Sequence, residues 1–99
     1  MTISNFTELI NENEITIVKL GADFCQPCKV LGRKIESLEK ELSDVKFIDI
    51  DIEEEPEIAT SLNIRNIPVL LYYKNGEMKD MTVGMLPEQT IIDKINALR

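Results

Sequence analysis

The sequence contains no histidine and only two cysteines, so it offers few residues that bind transition metals. A structural zinc site needs four Cys or His ligands, and one copy of this chain supplies half of them. We therefore expect no metal site within a single chain. A zinc ion shared between two chains is the alternative.

Long apolar runs and basic clusters are also missing. No uninterrupted apolar segment approaches the roughly 20 residues that span a bilayer. The first residues, Met1 to Ile10, include Asn5 and Glu8 and lack the basic cluster of a secretory signal. Eleven basic against eighteen acidic residues give a net charge of -7, which repels phosphate backbones and anionic lipids. We expect a cytoplasmic protein that binds neither nucleic acid nor membranes.

The composition, with 43% apolar and 29% charged residues, is typical of a globular protein. A chain of 99 residues is long enough for one compact domain and too short for two. We expect one domain over residues 1–99 that acts as a monomer.

In the first half of the chain, strand patterns alternate with helix patterns. The segment from Ile15 to Leu20 is β-branched and mostly apolar, as in a strand inside a sheet. From Pro27 onward apolar residues recur at helical spacing, namely at Leu31, Ile35, Leu38 and Leu42. The run from Val45 to Ile52 is a second strand candidate, and Pro56 suits the start of a short helix. Two strands joined by a helix are expected to be parallel neighbours.

The second half has a different pattern. Val69 to Tyr73 and Met78 to Val83 have strand composition, and the Asn-Gly pair between them, Asn75-Gly76, predicts an antiparallel hairpin. Pro87 and Glu88 suit the first turn of a last helix. Its apolar stripe comprises Ile91, Ile92, Ile95 and Leu98.

The two cysteines stand three residues apart where the first strand leads into the helix. Disulfide exchange needs an attacking thiolate and a second thiol near enough to resolve the mixed disulfide. A cysteine in the first helical turn meets the positive end of the macrodipole and unpaired backbone N–H groups, and both favour its thiolate. We therefore predict that Cys25 is the nucleophile and Cys28 the resolving thiol. An inert pair of small apolar side chains is the alternative.

Two blocks of this sequence resemble the thioredoxin family. Ala22-Asp23-Phe24-Cys25-Gln26-Pro27-Cys28-Lys29 is similar to the family's active-site stretch, in which tryptophan and glycine usually replace Phe24 and Gln26. Asn63-Ile64-Arg65-Asn66-Ile67-Pro68-Val69, followed by Lys74-Asn75-Gly76-Glu77, is similar to its cis-proline and hairpin region. The resemblance covers most of the chain. It implies an α/β thioredoxin fold, with a central mixed sheet of four to five strands and helices on both faces.

The resemblance also implies a function. It suggests a protein thiol-disulfide oxidoreductase, most simply a reductase of disulfide-containing proteins, which needs no bound cofactor and receives electrons from a flavin-dependent NADPH thioredoxin reductase. In the family, the peptide before the second-block proline is cis and faces the cysteines, its backbone pairs with an extended substrate, and a later glycine keeps the surface open. The implied substrate-binding residues are Phe24, Gln26, Pro27, Ile67, Pro68 and Gly84.

Two other functions stay open at this point. The chain could be a thioredoxin-fold binding module or partner subunit whose thiols are incidental. It could also be an enzyme that forms or rearranges disulfides, an oxidant or isomerase. The effect of Gln26 on the redox potential, which would distinguish these directions, does not follow from the sequence.

One departure from the family concerns a buried charge. The family's aspartate on the strand before the active site is credited with accepting the proton of the resolving cysteine, and Lys19 stands in its place. Asp49 stands on the next strand where the family commonly has lysine. We expect Lys19 and Asp49 to form an ion pair near Cys28, with Asp49 as proton acceptor. A purely structural ion pair is the alternative.

Smaller departures surround this pair. Gly21 stands where many members have a larger residue, and Arg33 where many have a helix-kinking proline. Gly32 beside Arg33 favours some helix flexibility. The family's amino-terminal strand is expected to be reduced to little more than Thr2-Ile3.

Overall fold

Four helices and four strands follow one another in the computed structural model, which describes residues 1–99. In chain order they are α1 (Ile3–Asn11), β1 (Ile15–Gly21), α2 (Gln26–Glu41), β2 (Val45–Asp51), α3 (Pro56–Ser61), β3 (Val69–Lys74), β4 (Glu77–Val83) and α4 (Glu88–Asn96). The strands form one mixed sheet in the order β2-β1-β3-β4. β1 is parallel to β2, and the other two pairs are antiparallel. The predicted parallel neighbours and the predicted hairpin are both confirmed.

The central strand β1 is buried along almost its whole length because helices cover both faces of the sheet. On one face, Ile15 and Ile17 pack in a core with residues of α2 and α4. On the other, Val18 and Leu20 pack with residues of α1 and α3. The apolar run of β1 is continuous because side chains on both faces of this strand are buried.

The hairpin between β3 and β4 turns at the predicted Asn-Gly pair. Asn75 and Gly76 both have positive φ, at 51° and 80°. Such angles match the twist of the two flanking strands, and asparagine and glycine adopt them most readily. The Asn75 amide donates to the Glu14 carbonyl oxygen at 2.7 Å, which ties the turn to the start of β1.

The prediction of an amino-terminal strand at Thr2-Ile3 is wrong. Ile3 is the first residue of α1, and the Thr2 hydroxyl caps this helix by accepting a hydrogen bond from the Asn5 amide at 3.0 Å. Phe6 and Ile10 lie one turn apart on α1 and are its buried residues. The threonine cap and this apolar spacing were the signals for a helix. The sheet consequently has four strands and no fifth.

None of the helices combines the length and the apolar character needed to cross a membrane.

Candidate functional site

The two cysteines lie where β1 ends and α2 begins. Cys25 is the N-cap of α2, with extended backbone angles, and Gln26 is the first helical residue. The Cys28 amide donates a hydrogen bond to the Cys25 sulfur at 3.2 Å. Pro27, in the first turn, has no N–H group to leave unpaired. The predicted placement of Cys25 at the electropositive end of a helix is therefore confirmed.

Cys25 and Cys28 form a disulfide, with their Cα atoms 5.3 Å apart. Cys25 is 9% exposed and Cys28 is 2% exposed. The difference follows from position, because Cys25 caps the helix whereas Cys28 lies one turn inside it. Cys25 is therefore the more exposed residue of the pair.

The second predicted block lies against the cysteines. The Ile67-Pro68 peptide bond is cis, as the resemblance implied. Ile67 packs against a small cluster made by Ala22, Cys25 and Cys28. The fold therefore brings together two sequence blocks that are far apart in the chain.

Exposed side chains adjoin the cysteines in sequence, and others flank Gly84. Phe24 is 72% exposed, and Gln26 and Pro27 are also on the surface. Val83 and Met85, which flank Gly84, are exposed as well. Sequence reasoning did not select Val83 or Met85, because neither residue belongs to a motif or has a reactive side chain. The signal that could have found them is their position beside the glycine.

The predicted ion pair between Lys19 and Asp49 is present. The two residues face each other in the register of β1 and β2, with the Lys19 Nζ 3.3 Å from an Asp49 carboxylate oxygen. The Lys19 side chain is 11% exposed and that of Asp49 is 75% exposed. Both residues line a cleft of 340 Å³ that Cys28 also lines. Lysine is thus the inner partner, and the carboxylate lies at the solvent-facing edge of the sheet.

Two glycines make room for this arrangement. A Cβ atom on Gly21 would lie 3.0 Å from the Cys28 sulfur and 3.6 Å from Lys19 Cε. A Cβ atom on Gly32 would lie 3.3 Å from Lys19 Nζ. Larger side chains at either position would crowd the lysine or the resolving cysteine. The small residues at these two positions are therefore explained by packing rather than by flexibility.

Three acidic residues stand at the outer part of the same cleft. Oxygen atoms of Asp23, Asp51 and Glu54 lie within 4.8 Å of one another. Exposed carboxylates commonly group in this way without an ion, so the cluster alone does not make a metal site. Its physical effect is a negative potential at the mouth of the cleft.

The thioredoxin family model matches residues 1–97 of this sequence. The chain belongs to the thioredoxin family. The thioredoxin of Rickettsia typhi is 35% identical, over 95% of this chain and 96% of that protein. The chloroplastic M-type thioredoxin of Spinacia oleracea is 38% identical, over 93% of this chain and 52% of that protein.

Solved thioredoxin structures agree with the fold. A mutant thioredoxin of Halobacterium salinarum superposes with a TM-score of 0.91 at 26% identity, over 99% of this chain and 86% of that one. The thioredoxin of Fasciola hepatica gives 0.89 at 28% identity, over 97% and 93%. Thioredoxins are disulfide oxidoreductases that generally reduce disulfide substrates. With its Cys25-x-x-Cys28 pair, this member is a dithiol-disulfide exchange oxidoreductase.

Proposed function

We propose that this thioredoxin-family protein works as a reductase of protein disulfides. The observation that carries the proposal is the Cys25 sulfur at the N-terminus of α2, where it accepts the Cys28 amide hydrogen bond. Such a hydrogen bond and the helix macrodipole both stabilise a thiolate. A stabilised thiolate is the attacking species of disulfide exchange.

The reaction has two exchange steps. The Cys25 thiolate attacks one sulfur of the target disulfide, and the other target sulfur leaves as a thiolate and takes a proton from water. The Cys28 thiolate then attacks the Cys25 sulfur and breaks the mixed disulfide, and the electron pair leaves with the target. The target gains two thiols, and the protein is left with the Cys25–Cys28 disulfide that the structure contains.

The surface beside the disulfide suits an extended target segment. In this proposal the backbone of Ile67 pairs with the target, and Pro68 holds that backbone towards the cysteines. Gly84 leaves space next to it, because no atom lies within 4 Å of where its Cβ would be. Phe24, Gln26 and Pro27, all on the surface, contact the target from the opposite side.

Asp49 is proposed as the acceptor of the Cys28 proton. Its exposed carboxylate lines the cleft that reaches Cys28, so a proton can pass through water between them. Stopped-flow measurement of mixed-disulfide resolution tests this role. Asp49→Asn should slow resolution, and an unchanged rate would remove Asp49 from the mechanism.

The redox cycle requires an external electron source. After each turnover the Cys25–Cys28 disulfide must be reduced again, and we propose a flavin-dependent NADPH thioredoxin reductase for this step. The cytoplasm is the proposed compartment because its thiols are kept reduced. We also propose that residues 1–99 act as one domain and as a monomer, which sedimentation equilibrium can test.

Two measurements test the proposed direction. The protein should accelerate the dithiothreitol-driven reduction of insulin, and Cys25→Ser should abolish this acceleration. Equilibration with glutathione should then give a strongly reducing couple. A potential above the cytosolic range of about -220 to -320 mV would instead indicate an oxidant or isomerase.

A further inference from the structure

The side chains of Lys19 and Cys28 approach the same residue, Gly21. The closest atoms to a Cβ built on Gly21 are Cβ and Sγ of Cys28 and Cε of Lys19. The sulfur and the end of the lysine side chain therefore pack over the same glycine. Asp49 is the lysine's ion-pair partner, but its side chain is 75% exposed.

We propose that the Lys19 ammonium stabilises the thiolate of Cys28 and so acts as a positioning residue for the resolving step. At the position where the family has an aspartate that accepts a proton, this chain would use a cation that stabilises the thiolate. The inference rests on the proposed assignment of Cys28 as the resolving thiol.

Several other charges face Cys28, and their burial decides which has the largest effect. The charged residues lining its cleft are Lys19, Asp23, Lys29, Asp49, Asp51 and Glu54. Most of these side chains are exposed, so water and salt screen their fields. Lys19, at 11% exposure, acts through the less polarisable interior, where the same charge has a larger effect.

Acidic groups also line a second cavity that Lys19 borders. Glu36 and Glu39 of α2 line this cavity, which Asp49 also lines. The salt bridge of Lys19 is with Asp49 rather than with these glutamates, which are exposed, so water and salt screen their charge.

Water in the cleft carries the proton released in the resolving step to the Asp49 carboxylate, its acceptor in the proposed function. The Cys28 thiol of the mixed disulfide loses its proton to this water, and Lys19 keeps its own protons throughout. The thiolate beside the ammonium attacks the Cys25 sulfur, a Cys25–Cys28 bond forms, and the bond from Cys25 to the target breaks. The target sulfur leaves with the electron pair and is protonated by water.

The pKa of Cys28 tests this inference directly. In a Cys25→Ser background Cys28 is the only thiol, and the ultraviolet absorbance of its thiolate can be followed with pH. An opposite charge nearby lowers an acid's pKa by about 1 to 3 units, so Lys19→Met and Lys19→Gln should raise it by at least about one unit. Asp49→Asn is the matched control, because it removes the exposed partner and should not raise the pKa.

A kinetic measurement gives an independent result. For each unit of rise in pKa the thiolate fraction at neutral pH falls tenfold, while the remaining thiolate becomes more nucleophilic. The net effect is a loss of about three- to fourfold in the rate of mixed-disulfide resolution. Lys19→Arg, which keeps the charge, should retain most of the wild-type rate.

Two results would overturn the inference. One is an unchanged Cys28 pKa in both neutral variants at position 19, with circular dichroism showing that they are folded. The other is an equal rise in Asp49→Asn, which would assign the effect to the ion pair as a structural unit. Neither result depends on insulin reduction, so the proposed reductase function can fail or stand separately.

Discussion

The backbone amide of Gly84 donates a hydrogen bond to the carbonyl oxygen of Pro68 across 2.8 Å. Gly84 has φ of 87°, and a Cβ atom at this position would meet no other atom within 4 Å. The backbone conformation therefore requires glycine here, whereas the surrounding space does not. That open space lies beside the Ile67-Pro68 peptide, where the proposed target segment binds.

Gly84→Ala should affect both stability and substrate binding. A side chain in the left-handed region costs about 1 to 2 kcal/mol, which chemical denaturation can measure. The added methyl group would also occupy the target's place, so we expect KM for insulin to rise several-fold. Unchanged KM in the folded variant would contradict this use of the open space.

Gly76→Ala is the matched control for that experiment. Gly76 also has positive φ, at 80°, but an added Cβ would overlap the Asn11 side chain. Its free energy of unfolding should fall by a similar amount to that of Gly84→Ala, because the exposed Asn11 side chain can rotate away. Because the hairpin turn is remote from the disulfide, its KM for insulin should match that of the wild type.

Thr16 gives a prediction of increased stability. This residue of β1 is fully buried, and its hydroxyl has no hydrogen-bond partner. An unpaired buried polar group costs about 1 to 3 kcal/mol, and valine has nearly the same shape and suits a strand. Thr16→Val should therefore raise the free energy of unfolding by about 1 kcal/mol. Thr16→Ser, which keeps the hydroxyl and loses the methyl group, should lower it.

The Asp80–Lys94 ion pair predicts how acid affects the hairpin. A hydrogen bond from Lys94 Nζ, at 2.7 Å, lowers the pKa of Asp80, and the neighbouring Met81 amide lowers it further. A carboxyl whose folded pKa lies below its unfolded value of about 3.9 contributes stability above that pH. This contribution is lost as the pH falls through the lower, folded pKa.

Asp80→Asn isolates this effect. The difference in the free energy of unfolding between wild type and variant should be constant near neutral pH and shrink below about pH 4. Both side chains are more than one-third exposed, so added salt should reduce the difference as well. A difference that stays constant down to about pH 2 would show that Asp80 is not linked to folding.

Cys28→Ser should separate the two exchange steps. Cys25 remains at the N-cap, so attack on a target disulfide can proceed, but the resolving thiol is absent. A covalent complex with the target should accumulate, and mass spectrometry under non-reducing conditions would detect it. Cys25→Ser is the control and should form no such complex; accumulation in this variant would reverse the assigned roles.

Much of the fold could be predicted from local patterns. The apolar run of β1, the helical spacing of α2 and the Asn-Gly turn each depend on residues close together in sequence. The register of β1 against β2 also brought Lys19 and Asp49 together as expected. Helix α1 was missed because the expectation for this segment came from the family's amino-terminal strand and not from the spacing of Phe6 and Ile10.

The electrostatics of the site could not be predicted to the same depth. The exposure of Asp49 depends on β2 being an edge strand, which sheet order alone determines. The reason for glycine at positions 21 and 32 depends on where the Lys19 side chain runs between β1 and α2. Such facts come from residues that are distant in sequence, so composition and spacing do not reveal them.

The two outer strands also affect how this protein behaves in concentrated solution. Their backbone groups are free to bond with another chain, and such edges invite aggregation. Charged side chains stand along both of them, at Lys46 and Asp49 on β2 and at Glu77, Lys79 and Asp80 on β4. A second molecule that approached either edge would have to strip water from these charges. The chain thereby resists joining its neighbours into extended sheets.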